Sequence, residues 1–539
     1  MIADPIRDGL AAGWRVIDAA TLESDRVLEA DVAIAGSGAG GGVTAEILAL
    51  AGLKVVIVEE GPLKSSGDFR MREREAYPSL YQESAGRQTR DKAITILQGR
   101  CVGGSTTVNW TSSFRTPPRT LAHWKSVHGL ASADPSSLAP WFERMEARLS
   151  IAPWPVPPNE NNDILRRGCE ALGYSHAAIR RNVKGCWNLG YCGMGCPTNA
   201  KQSMLVTTIP SALEAGATLV QRGRLERLVH GNGRVSEAVV RGVAGPGAPM
   251  GHARLTVRAR HFVLAAGSIG TPAILLRSAV PDPSGLTGRR TFLHPTVVSA
   301  AVMPGPVEGY SGAPQTIYSD HFLDTLPVDG PMGYKLEAPP IHPILAGITL
   351  PGYGADHGRW MREFPKLQVL IALLRDGFHP DSPGGTVRLR SDGSPELDYP
   401  LGAYLWDGVR RAYLTMAELQ FAAGAKTVMA LHEDAGPATT WAAAREAIGR
   451  LPMAALHARV VSAHVMGGCP MGSDAARALV REDGRHHHVE NLSVHDGSVF
   501  PTSIGANPQL SIYATAARMA EGLAAALGAR PATPARAAP

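Results

Sequence analysis

The chain has 539 residues, 44% of them hydrophobic and 19% charged, with 53 Lys and Arg against 48 Asp and Glu for a formal charge of +5. It is too long for a lone small binding module and too apolar for a disordered chain. The charge surplus is too dilute to mark a surface for nucleic acid or anionic lipid, so partners have to be argued from sites.

From the N-terminus, Met1-Ile2-Ala3-Asp4-Pro5 lacks the basic start and apolar stretch of a secretory signal. The longest apolar run, residues 369–374, is far short of the roughly 20 residues a membrane-spanning helix needs. A cytoplasmic location is therefore expected, with a periplasmic or membrane-peripheral one only if a partner subunit carries the chain. The first 30 residues show no strong period. Structure is predicted to start sharply at Asp31.

Residues 31–35 read as a buried strand, Gly36-Ser-Gly38-Ala-Gly40-Gly41-Gly42 as a tight turn, the stretch to Ala51 as a helix, and residues 53–58 as a second strand closed by Glu59. Glycines at Gly36, Gly38 and Gly41 let the backbone approach a pyrophosphate, the helix N-terminus offers free N–H groups, and a carboxylate at Glu59 accepts ribose hydroxyls. A glycine turn that binds nothing is the plain alternative, and the strand, helix and acid together argue against it. This pattern alone leaves FAD and NAD both open.

Further along, Gly99-Arg-Cys101-Val-Gly103-Gly104-Ser105-Thr-Thr-Val108-Asn109 lies too late to belong to that first turn. Residues 262–266 then repeat the grammar of strand, glycine turn and helix at Gly267-Ser-Ile-Gly270-Thr271-Pro272. Between about 291 and 450 the chain is richer in Pro and aromatics, with a strand at 386–390 and a turn at Asp392-Gly393, and a second domain is placed there. Beyond 451 the motifs return, ending in a helix on which Leu510, Tyr513, Ala517, Ala520, Ala524 and Leu527 recur at helical spacing. The Ala, Pro and Arg-rich stretch 530–539 reads as a frayed tail.

Together the loops at Gly36, Gly99 and Gly267 and the C-terminal motifs resemble those of the glucose-methanol-choline (GMC) oxidoreductases, over roughly residues 30 to 525. The resemblance implies an α/β fold: a discontinuous Rossmann-like FAD-binding domain, 1–290 and 451–529, and an α+β substrate-binding domain on an antiparallel sheet, 291–450. It ranks FAD above NAD and assigns cofactor contacts to Gly36, Gly38, Gly41, Glu59, Gly103, Gly104, Ser105, Asn109, Gly267, Asp496 and Gly497. Relatives that attach FAD covalently do so through a His just before the position of Asn109. Here that residue is Val108, so non-covalent FAD is expected. After Thr271-Pro272 the family usually continues to Ser-Gly, where this chain has Ala279-Val280.

Ser462-Ala-His464-Val-Met-Gly467-Gly468 and Gly505-Ala-Asn507-Pro508 resemble the family's catalytic His and its His-or-Asn partner. Oxidising an alcohol by hydride transfer requires removal of the hydroxyl proton, and neutral imidazole is the natural acceptor near pH 7. His464 is the expected base. Asn507 cannot take a proton, so its amide is expected to hold the substrate oxygen. Asn507-Pro508 also reads as a helix cap and first turn, and the two roles are compatible. The His486-His487-His488 run is expected at the surface, and His294-Pro295 in packing.

Gly185-Cys186-Trp-Asn-Leu-Gly-Tyr-Cys192-Gly-Met-Gly-Cys196-Pro197 gathers three of the six cysteines in eleven residues. Structural zinc normally takes four ligands, whereas a three-iron, four-sulfur cluster takes three cysteines. The spacing resembles that of bacterial FAD glucose dehydrogenase subunits, whose cluster passes electrons to a cytochrome, and also that of long-chain alcohol oxidases, where the stretch reads as structural. Both readings stay open. The expected activity is oxidation of a primary or secondary alcohol, long-chain or sugar-like, with electrons leaving to a cytochrome or quinone. An oxidase forming hydrogen peroxide and a non-redox FAD lyase are the alternatives.

Overall fold

In a computed structural model describing residues 2–245 and 249–529, two large sheets and a small four-stranded sheet are joined by chain crossings, beside a two-stranded ribbon of Ile151–Pro153 and Arg180–Asn182. The predicted tail at 530–539 lies outside the described residues. In the first sheet, the strands Arg15–Asp18, Thr218–Gln221, Val55–Val58, Arg26–Ala35 and Pro249–Leu264 lie side by side in parallel. Leu492–Val494 adds a further parallel strand beside Pro249–Leu264. The antiparallel strands Arg234–Val243 and Gly223–Gly231 extend the other flank.

Val32, Ile34, Val55 and Ile57 on one face of this sheet and Val56 and Val58 on the other are buried, as continuous apolar runs in a parallel sheet require. Each such side chain contributes about 1.5–3 kcal/mol by leaving water. The helix Ala39–Leu50 is buried from Gly40 to Ala49 and packs on the C-terminal helix Gln509–Ala526. Its first turn also passes tightly against the backbone after Leu492–Val494: a Cβ on Gly40 would lie 1.6 Å from the His495 carbonyl oxygen, so only glycine fits.

Sequence patterning misses the first 30 residues. They form the helix Pro5–Ala11 and the edge strand Arg15–Asp18, whose half-buried side chains have no clean period to read.

The second large sheet is mostly antiparallel and centres on Thr296–Val302 and Leu367–Leu374, flanked by Tyr334–Glu337, Ile317–Ser319 and Thr427–Ala430. It also draws strands from Ile94–Ile96, Ala177–Ala178 and Val460–Ser462, outside the stretch 291–450. The helix Ala403–Ala422 covers one face. The small sheet orders Pro395–Asp398, Gly385–Leu389, Arg289–Leu293 and Val465–Gly467.

Two chain segments pass between the small sheet and the second large sheet at the same level. Leu293 pairs with Val465 in one sheet, and Thr296 pairs with Val461 in the other. The residues between these pairs are forced together, and they include His294 and His464.

Candidate active site

A cavity of about 1020 Å³ runs from the C-terminal ends of the parallel strands to the face of the second sheet. At one end Gly36, Gly38, Glu59 and Glu60 line it, then Gly99, Gly104 and Ser105, then Asn109, Gly267, Asp496 and Gly497, and finally His464 and Asn507. This is the position, outside the strand ends, where open α/β sheets bind ligands. Gly41 and Gly103 do not line it. Gly41 packs its Cα against the Gly36 carbonyl, and Gly103 donates its N–H to Ser37 Oγ at 3.0 Å.

Ser37, which sequence reading did not single out, ties the two glycine loops together. Its N–H and Oγ donate to Glu59 Oε2 at 3.0 and 2.7 Å, while Gly61 N–H donates to Oε1 at 2.8 Å. Burial pushes the Glu59 carboxyl up from its ordinary pKa, and these donors oppose that rise. Gly104 sits at φ +54°, and a Cβ there would lie 2.8 Å from Gly38 Cα. Bare backbone from both loops therefore faces the cavity, as close approach of a pyrophosphate requires.

Around the middle, Asp496 is saturated: its Oδ2 accepts from Gly267 N–H at 2.8 Å and Thr271 Oγ1 at 2.6 Å, and its Oδ1 accepts from Ser498 N–H and Oγ. It fixes the loop at Gly267 more than it reaches out. Asn109 Nδ2 donates to Gln509 Oε1 at 2.7 Å, and Ser105 Oγ accepts from Gly99 N–H at 3.0 Å. The elongated shape, the glycine cradle and the carboxylate end fit an extended FAD.

At the far end, His464 Nδ1 lies 3.0 Å from His294 Nδ1. His294 is thus a neighbour of the site, against the packing role expected from sequence. Its Nε2 accepts the Gly505 N–H at 3.2 Å. Burial, helped by the nearby Lys335 ammonium, holds the His464 pKa down at about 4, so the ring is neutral near pH 7. His464 Nε2 has no protein partner among the described residues.

Asn507 does not cap the last helix. Gln509 is its first residue and Pro508 takes the cap position, one residue later than expected, because the Asn507 side chain is engaged elsewhere. Its Nδ2 donates to Glu337 Oε2 at 3.3 Å, and its Oδ1 is buried without a partner. Sequence gave no signal for Glu337, an acid at the end of a buried strand.

The three clustered cysteines are free and part-buried, and no three His, Cys, Asp or Glu side chains are placed to hold a metal among the described residues. The iron–sulfur reading of Cys186, Cys192 and Cys196 is not supported by this arrangement. A buried ammonium organises the stretch instead: Lys201 Nζ donates to the carbonyls of Thr107 at 2.5 Å, Asn109 at 2.9 Å and Cys192 at 2.7 Å. That clamps the cysteine loop to the Gly99–Asn109 loop, and burial brings the lysine pKa down to about 8.

The histidine run also departs from expectation. His486 is buried, and its Nδ1 accepts the His488 N–H at 3.1 Å, leaving only His488 exposed.

Two family models described as GMC oxidoreductase match residues 77–296 and 380–516. A GMC-type oxidoreductase of Mycobacterium tuberculosis is 31% identical over 504 residues, which is 93% of this chain and 77% of that one. The chain belongs to the GMC oxidoreductase family.

As a GMC oxidoreductase it is an FAD-dependent enzyme acting on CH–OH groups. A long-chain-alcohol oxidase of Arabidopsis thaliana is 28% identical, covering 91% of this chain and 68% of its own length. Among solved structures, pyridoxine 4-oxidase from Mesorbium loti has a TM-score of 0.64 at 18% identity, covering 91% of this chain and 98% of that one. Aspergillus oryzae formate oxidase has a TM-score of 0.65 at 16% identity, with 94% and 99% covered. These two show the fold of this GMC protein. No helix among its described residues is long and apolar enough to cross a membrane.

Proposed function

We propose that this protein oxidises a long-chain, apolar primary alcohol to its aldehyde and passes the electrons to oxygen. The observation carrying the substrate class is the lining of the cavity beyond His464 and Asn507. There the second sheet contributes Val298, Leu367, Ile371 and Leu373, and the segment above it Ile341 and Leu345. An aliphatic chain is stabilised along such a wall, whereas a sugar would leave its hydroxyls without partners.

Bound FAD, held non-covalently because position 108 is a buried Val, supplies the hydride acceptor at its N5 atom. The rest of the chemistry falls to side chains of this chain. Asn507 turns a free amide hydrogen toward the substrate oxygen, where negative charge develops. His464, kept neutral by burial, takes the hydroxyl proton at Nε2 as its Nδ1–H tautomer, its Nε2 hydrogen having gone to solvent while His294 takes one up at its own Nε2. The dry walls strengthen both interactions.

For the acceptor, this reading departs from the sequence expectation of a cytochrome or quinone. The names of the alcohol-oxidising relatives favour oxygen, and the Lys201 contacts give the cysteine stretch a structural role of its own. The test is anaerobic mixing with 1-dodecanol, 1-butanol and glucose while flavin absorbance is followed, then readmission of oxygen with a peroxide assay. Bleaching by dodecanol at the lowest concentration, followed by stoichiometric peroxide, is expected. Preference for glucose, reoxidation only by a quinone, or no bleaching by any alcohol would overturn the proposal, the last in favour of a lyase.

A further inference from the structure

We infer that Glu337 is a positioning residue that, in its neutral form, pairs with the Asn507 carboxamide through two hydrogen bonds and aims the remaining amide hydrogen at the substrate oxygen. The inference rests on Asn507 as the partner of that oxygen and adds a second layer behind it.

Glu337 ends the strand Tyr334–Glu337 and is completely buried. Its Oε2 accepts from Gln315 Nε2 at 2.5 Å and from Asn507 Nδ2 at 3.3 Å. Its Oε1 is buried with no partner, and so is Asn507 Oδ1. Two orphaned acceptors on groups already joined by one hydrogen bond lack one hydrogen between them. Leaving both bare is costly, because each is a buried acceptor stripped of water with nothing in its place. A proton on Glu337 Oε1 satisfies both, closing the cyclic pair that a carboxylic acid forms with a primary amide.

The surroundings agree. Lys335 lies two residues earlier on the same strand, but its ammonium is spent 2.5 Å from Asp320 Oδ1 and over the rings of Phe114 and Tyr318. Tyr318 stands opposite Glu337 in the neighbouring strand, and Gln315 brings no charge. Burial is the largest influence on Glu337 and raises its pKa to about 7, with Lys335 and the Asn507 hydrogen bond opposing it and Asp320 adding to it.

Ionisation would remove the second hydrogen bond, free Asn507 to rotate, and set a negative charge one residue behind the point where the substrate oxygen itself becomes negative. Turnover is therefore expected to fall as pH rises through about 7.

The experiment combines infrared spectroscopy of the holoenzyme with pH profiles of kcat/KM. Wild type should show a protonated-carboxyl C=O band at pH 6 that disappears by pH 8.5 and is missing from Glu337→Gln. Gln keeps the paired geometry without a charge at any pH. It should lose less turnover than Glu337→Leu by about tenfold or more, and its alkaline fall should vanish. A wild type without the band, or an unchanged alkaline fall in Glu337→Gln, overturns the inference, and the band measurement stands even if a variant fails to fold. Asn507→Ala separates the two layers: unimpaired turnover in that variant would sink the role of Asn507 itself, whatever the band does.

Discussion

His294 and His464 face each other nitrogen to nitrogen, Nδ1 to Nδ1 at 3.0 Å, and only one hydrogen can lie between them. Because Gly505 donates to His294 Nε2, that hydrogen starts on His294, and His464 carries its own on Nε2, toward the cavity. To act as a base at Nε2, His464 has to be the Nδ1–H tautomer: its Nε2 hydrogen passes to solvent, the hydrogen between the rings becomes its own, and His294 takes one up from solvent at Nε2, which requires the Gly505 contact to open. Gly505 is on the loop that carries Asn507, so the proposed substrate contact at Asn507 would act two residues from it.

This relationship can be checked at position 294. An Asn carboxamide can turn either its oxygen or its nitrogen toward His464 and so serves both tautomers, whereas Leu serves neither. His294→Asn is expected to retain about tenfold more kcat than His294→Leu at equal flavin content. Equal losses in the two variants would reduce His294 to a packing role.

Protonation of His464 gives a pH prediction on the acid side. Its pKa in the folded protein is depressed to about 4, so the base form persists down to that value and is lost below it. The acid limb of kcat/KM is expected near pH 4, with no step near 6.5, the ordinary histidine value. A limb at 6 to 7 would mean that the active ring is far wetter than the buried His464. His464→Ala should lose about 10²–10⁴ in turnover.

The glycine cradle is testable without turnover. Gly104→Ala would place a Cβ 2.8 Å from Gly38 Cα in a left-handed backbone conformation. Strain of about 1–3 kcal/mol corresponds to a drop in FAD affinity of about tenfold or more. Fluorescence titration of deflavinated protein with FAD measures it, and an unchanged affinity would place the cofactor elsewhere.

Substrate class can be read from the apolar wall. Val298 is buried and lines the cavity, so Val298→Phe should shorten the space open to an alkyl chain. Its kcat/KM for 1-dodecanol is expected to fall at least tenfold while that for 1-butanol changes little, since each displaced methylene is worth about 0.8 kcal/mol. Parallel losses on both alcohols would count against a chain running along this wall.

A Cys186→Ser, Cys192→Ser, Cys196→Ser triple variant should keep flavin and alcohol bleaching, and iron analysis of the anaerobically purified wild type should find none. Lys201→Met, by contrast, should lower the melting temperature, because three carbonyls lose a buried charged donor worth about 1.5–3 kcal/mol per bond.

What the sequence made legible was whatever is encoded locally. The Gly36 to Glu59 unit, the loop at Gly104 and the final helix each state their geometry in a short run of residues, and most of their lining positions follow, Gly41 and Gly103 excepted. His464 and Asn507 stand out because of the motifs around them. Ser37, His294 and Glu337 do not, since each acts through a partner far off in the chain: Glu59, His464 and Asn507. Only sheet register brings those pairs together. The cysteine run left two readings open for the converse reason: its spacing allowed a ligand set or a structural loop, and the lysine that organises the loop comes after it.

The two crossings that set His294 against His464 make the chemistry sensitive to how the small and large sheets are aligned. A slide of one ångström along that seam would part the rings without moving either side chain's rotamer. Substitutions at Leu293, Thr296, Val461 or Val465, none of which meets a proton, can therefore silence the enzyme while it remains folded and yellow.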